Sequence, residues 1–118
     1  MVREASPPFG TFDSLDAFVR AASDAPMPSP EEERRLVDAA RQGNDSARQT
    51  LLRAHIRLVV DEAIRYRDAY LEAAQLVPRG LEALEAAVGR FDPDVHGRFG
   101  SYAREWIRLE IRETALRA

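Results

Sequence analysis

An all-α fold is what this chain predicts, on three observations. Apolar residues recur every three or four positions through most of its length, the period of a helix with one buried stripe. No segment alternates apolar and polar residues as a half-buried strand would. Helix start and stop signals fall where the periodic segments begin and end. The expected architecture is a compact bundle of about five helices. A chain of 118 residues, 45% of them hydrophobic, suffices for one core.

Residues 1–12, with Pro7, Pro8 and Gly10, show no periodicity and read as a disordered lead-in. One domain is expected over 13–118: a leading helix pair over 13–43, central helices over 44–90, and a turn and helix over 91–118. A short amphipathic helix runs from Leu15 through Phe18, Val19 and Ala22. From Ala25 to Pro30 three prolines favour an extended, stiff linker. Ser29 caps the next helix, with Pro30 at its first position and Glu32 completing a Ser-x-x-Glu box. Leu36, Val37 and Ala40 face inward, Gly43 ends the helix, and Glu31, Glu32 and Glu33 complement its dipole. Asn44 or Asp45 starts the longest pattern, through Leu51, Leu52, Leu58, Val59, Ala63 and Tyr66. Ile56 and Val60 make it apolar on a second side, so it is central. Pro78 is expected to break or kink the following helix after Leu76 and Val77. That leaves Leu81, Leu84, Ala87 and Val88 as a last short helix before Gly89 and Phe91.

Composition excludes several classes. With no cysteine there are no disulfides, thiolate chemistry or zinc-finger sites. No apolar run approaches the roughly 20 residues of a membrane span, and no signal-peptide core is present. A cytoplasmic location is the default expectation. Net charge is −3, so the chain should grip duplex DNA poorly by itself. The acidic excess sits in residues 1–43, with five Arg against eight acids, while 44–90 and 91–118 balance.

The stretch from Phe91 to Arg112 carries the chemistry. Pro93, Asp92, Asp94, Gly97 and Gly100 mark a turn, and Ser101 is a fair cap for the helix that follows. On that helix Ala103, Ile107 and Ile111 form the buried stripe, and Arg104, Arg108 and Arg112 repeat on a neighbouring face. Like charges at this spacing weaken an isolated helix by about 0.2–0.5 kcal/mol per pair, so a purely structural surface would not favour them. Phe91, Phe99, Tyr102 and Trp106 lie in or beside the basic face. Rings with interleaved arginines offer stacking surfaces for bases and cations for phosphates; core packing explains the rings equally well.

These residues resemble a known family. Phe91-Asp-Pro, then Arg98-Phe-Gly-Ser-Tyr-Ala103, then Trp106-Ile-Arg108 and Ile111, are similar to the promoter-recognition segment of bacterial sigma-70 family sigma factors. The resemblance continues through His55-Ile-Arg-Leu-Val-Val60, Ala63, Arg65 and Tyr66, through the Ser29 to Glu33 box and the helix end at Gly43, and weakly back to Asp13. It implies a helical domain like the second domain of a sigma factor, which docks on RNA polymerase and contacts the non-template strand of the minus-ten element. The implied DNA-binding residues are Phe91, Arg98, Phe99, Ser101, Tyr102, Arg104, Trp106, Arg108 and Arg112. Tyr102 and Phe91 match positions walling a pocket for a flipped adenine, and Trp106 matches the second of a tryptophan pair at the edge of the opened duplex.

The departures are as informative. Glu105 replaces the first tryptophan of that pair, Leu109 a base-reading glutamine, Arg112 a threonine, and Gly97 an aromatic. These changes count against melting and reading an ordinary minus-ten element. A second implied surface, Gln75, Leu76, Pro78 and Arg79, matches a segment that is usually Asp-Leu-Ile-Gln-Glu-Gly and holds the coiled coil of the polymerase β′ subunit. Leu76 and Gly80 keep the pattern, whereas Arg79 reverses a charge. His55, where the family often has Asn, reads as a helix residue near a polar partner. Asp92, Asp94 and His96 could ligate a metal, but turn-forming aspartates explain them more simply, so no metal and no cofactor is expected.

No catalytic motif occurs, and no enzyme is expected. The regions that read other promoter elements are missing, so either this is a truncated chain or a second protein supplies them. The alternative function is a degenerate sigma-like decoy or adaptor, which binds polymerase or another transcription factor without melting DNA.

Overall fold

The structure is a computed structural model that describes residues 20, 25–67 and 73–117. The expected lead-in over 1–12 and the short helix from Leu15 to Ala22 lie outside the described residues. Five helices follow: α1 (Pro30–Arg41), α2 (Asp45–Tyr66), α3 (Ala73–Arg90), α4 (Pro93–His96) and α5 (Phe99–Arg117). No strand occurs among the described residues, and no described helix is long and apolar enough to cross a membrane.

Local chemistry starts the first two helices where the sequence places them. Ser29 Oγ accepts from the Glu32 amide at 3.2 Å, and Glu32 Oε1 accepts from the Ser29 amide at 3.2 Å. This reciprocal pair satisfies two donors that a helix start leaves open. Gly43 closes α1 with a φ of 96° that only glycine adopts cheaply. Asn44 then caps α2, its side chain accepting from the Ala47 amide. As its two-sided apolar pattern requires, α2 is the central helix and buries Leu51, Leu52, Ile56, Val59, Val60 and Ala63.

Two boundaries differ from expectation. Pro78 does not end a helix, since α3 continues through it from Ala73 to Arg90. A mid-helix proline sacrifices one backbone hydrogen bond, yet Leu76 and Val77 before it and Leu84, Ala87 and Val88 after it are all buried on one apolar stripe. That shared burial outweighs the local preference, and the expected short helix is the second half of α3. Ser101 is not the cap of α5, which begins at Phe99. The chain reverses at Gly97 (φ 77°), while Gly100 is already helical.

The core forms where α2, α3 and α5 meet. Gly80 makes this crossing possible: a Cβ there would lie 2.7 Å from Val59 Cγ1 and 2.9 Å from Ile111 Cδ1. Any larger residue would force the Val59 and Ile111 side chains to shift.

Candidate nucleic-acid and polymerase interface

Helix α5 buries Phe99, Ala103, Ile107 and Ile111, which fixes the direction of every other side chain on it. Residues two apart on a helix stand about 160° from each other. Tyr102 and Trp106 therefore lie on one flank and Arg104 and Arg108 on the other. The single mixed ledge of rings and guanidinium groups expected from spacing is two separate surfaces.

The ring flank is a connected aromatic cluster. Phe91 meets Phe99 edge-on at 5.3 Å and Tyr102 at 5.5 Å, and Phe99 meets the His55 ring edge-on at 4.9 Å. Phe91 is 1% exposed and Phe99 0%. These two expected base contacts are core residues, sealed because the turn folds Phe91 back under α5. Tyr102 and Trp106 remain half-buried. Tyr102 carries the His96 ring stacked on it at 4.3 Å and 25°, and Arg90 lies over the Trp106 indole at 4.8 Å.

On the basic flank, two of the four arginines are engaged. Arg98 contacts the Glu33 carboxylate at 3.2 and 3.3 Å and donates to the Pro28 carbonyl. Arg108 contacts the Glu62 carboxylate at 3.3 and 3.4 Å and lies 3.8 Å from Glu105. Glu62 raises the Arg108 pKa above its ordinary value, mainly through these hydrogen bonds. Arg104 and Arg112 are exposed and have no ion-pair partner among the described residues. Ser101 is also exposed, and with Arg98 and Arg104 it rims a groove of about 590 Å³ between α2 and α5, with Leu58 and His55 in its wall.

Sequence reasoning missed the roles of Glu33 and Glu62. Glu33 was expected to complement the dipole of its own helix. It is instead 4% exposed and accepts from the Phe99 amide at 3.0 Å, which places its charge at the N-terminus of α5. Helix α1 holds the turn at two further points, Arg41 to the Phe91 carbonyl and Arg34 to Asp94. Glu62 is 2% exposed. A signal existed for both: Glu33 precedes the inward Val37 by four residues, and Glu62 follows Leu58 by four. A carboxylate on an apolar stripe is buried only with a partner.

His55 is buried, with Nδ1 2.7 Å from the Leu51 carbonyl, to which it donates. Its Nε2 has no hydrogen-bond partner among the described residues. Burial holds its pKa below the ordinary histidine value, so the ring is neutral. The Asp92, Asp94 and His96 groups serve the turn. Asp92 accepts from the Asp94 amide, His96 Nδ1 accepts from the Asp92 amide, and Asp94 pairs with Arg34.

Of the expected polymerase-binding residues, Leu76 is a core side chain with no exposure. Gln75, Pro78 and Arg79 are exposed on the outer side of α3, and Arg79 lies 3.7 Å from Glu82.

Residues 51–118 match the family model for sigma-70 region 2, more than half of the chain. Region 2 of these non-enzymatic initiation factors binds RNA polymerase and recognises the promoter minus-ten element. With all described elements helical and the matched segment spanning α3, α4, α5 and most of α2, the chain belongs to the sigma-70 region 2 family.

Proposed function

We propose that the protein is a transcription-initiation component that docks on the RNA polymerase core and contacts the unpaired non-template strand at the minus-ten element. The carrying observation is the surface of α5. It keeps Tyr102 and Trp106 half-exposed on one flank, and Ser101, Arg104 and Arg112 open on the other. A single strand crossing the helix meets rings for its bases and cations for its phosphates. Arg98 contributes at the groove rim while anchored to Glu33. Phe91, Phe99 and Arg108 act from behind, by holding Tyr102 and α5 in position. The outer side of α3, with Gln75, Pro78 and Arg79, is the proposed contact with the coiled coil of the β′ subunit. In this role residues 13–118 act as one domain, and a second protein supplies contacts to other promoter elements.

A second reading, the decoy or adaptor that binds polymerase without capturing DNA, is favoured by Leu109, 47% exposed at a base-reading position. Glu105 beside Arg108 favours it too. One experiment separates the two. The protein is mixed with core polymerase and a fluorescent single-stranded minus-ten oligonucleotide, and ternary binding is measured for wild type and Tyr102→Ala. Capture that falls with Tyr102→Ala supports the sigma role, and polymerase binding with no capture supports the decoy.

A further inference from the structure

The His96 ring covers Tyr102 face to face, with centroids 4.3 Å apart and planes 25° from parallel. A base arriving from solvent therefore cannot lie on that face of Tyr102. It meets His96, which is exposed. The histidine is fixed as well as open. Its Nδ1 accepts from the Asp92 amide at 2.9 Å, which puts the proton on Nε2. Asp94 of the same turn is tied to Arg34 of α1, and Arg41 holds the Phe91 carbonyl. Phe91, Tyr102 and His96 thus form a triangle of rings, with His96 also 6.0 Å from Phe91, buried at Phe91, half-buried at Tyr102 and open at His96.

We propose that His96 is the ring on which an unpaired nucleobase stacks, with Tyr102 as the platform that positions it. This rests on the single-strand reading above and changes which residue makes the contact. A ring held by a backbone hydrogen bond and by stacking from below loses little freedom when a base lands on it. Its Nε2–H is a donor for a phosphate or a base edge beside the stack. Stacking tolerates any base, because each has a π-face. The residue therefore serves strand capture rather than base choice, in keeping with the loss of a base-reading amide at Leu109.

The test uses the full chain with core polymerase and a single-stranded oligonucleotide carrying 2-aminopurine, whose fluorescence falls when it stacks. His96→Ala should weaken capture about tenfold and relieve the quenching, while the thermal melt falls by only a few degrees, for the loss of one exposed hydrogen bond and ring contact. His96→Phe keeps a ring and should hold capture within about threefold. Capture and quenching that survive His96→Ala overturn the assignment and leave the wider reading standing. Stronger capture by His96→Ala overturns it too, since the ring would then be a cover over Tyr102. No capture by the wild type, with polymerase bound, removes the single-strand reading and this one together.

Discussion

Arg98, at the entry to α5, and Arg108 on it reach buried carboxylates on other helices, whereas Arg104 and Arg112 of α5 meet none among the described residues. All four are guanidinium groups within 15 positions of each other, and spacing alone gives them one task. What separates them is the neighbour opposite. A carboxylate taken out of water costs several kcal/mol unless it is paired. Glu33 and Glu62 have that cost met by their arginines, so a phosphate that drew either arginine away would strand a buried charge. Arg104 and Arg112 carry no such obligation. The same residue type is a staple in one place and a free contact in another.

The sharpest way to break this comparison is Glu33→Ala, which leaves the Phe99 amide buried without an acceptor and frees Arg98. Loss of a buried partner and of the negative charge at the α5 N-terminus should cost about 3 kcal/mol, read from urea unfolding. Arg104→Ala on α5 should stay within about 0.5 kcal/mol. Equal shifts for the two would mean the staple has no energetic content.

Gly80→Ala tests the crossing that holds α5 over α2. With contacts of 2.7 and 2.9 Å awaiting the new Cβ, a loss of about 2 kcal/mol is expected. An unchanged midpoint would show that the three helices can part freely.

The pH dependence of stability sharpens the picture at His55. Its folded pKa lies below the ordinary 6.5 because the ring is buried. Below pH 6.5 the unfolded chain takes up a proton that the folded one refuses, so stability is full above that value. It falls as pH drops toward the folded pKa. Urea midpoints from pH 7.5 to 5 should show this decline, and His55→Asn should flatten it. The Glu32 cap, whose pKa is lowered from 4.5 by its bonds to Ser29, acts only at lower pH and does not interfere.

The smallest effect is in salt dependence. Each phosphate neutralised on a single strand contributes a slope of about 0.7 in log affinity against log salt. Arg104→Ala and Arg112→Ala should each reduce the slope of oligonucleotide capture by about that amount. Arg108→Ala should leave the slope alone and lower the unfolding midpoint. A slope change at Arg108 would erase the distinction drawn above.

Much of the fold was legible because its signals are local. The Ser29 to Glu32 box, Gly43, the Asn44 or Asp45 start and the two-sided apolar pattern of α2 each act within a few residues, and each stands in the structure where it was expected. Pro78 misled because its preference is also local, while the stripe from Leu76 to Val88 is buried against two other helices. The candidate site was legible in its residue types and not in their roles. Phe91, Phe99, Tyr102 and Trp106 look alike in a sequence, yet burial takes the first two into the core. His96 looked like a turn residue with a remote claim to a metal, and stacking on Tyr102 gives it a ring exposed beside the interface.

By itself the sequence determined that this chain is helical, where α1 and α2 begin, which helix lies at the centre, and which family it belongs to, because periodicity, capping and motif order are written along one strand of residues. Only the tertiary structure decided which arginines are free, which rings face water, and that a glutamate of α1 caps the start of α5. Those outcomes depend on desolvation and pairing between helices some 60 positions apart, such as Glu33 with Arg98, and no window of sequence spans that separation.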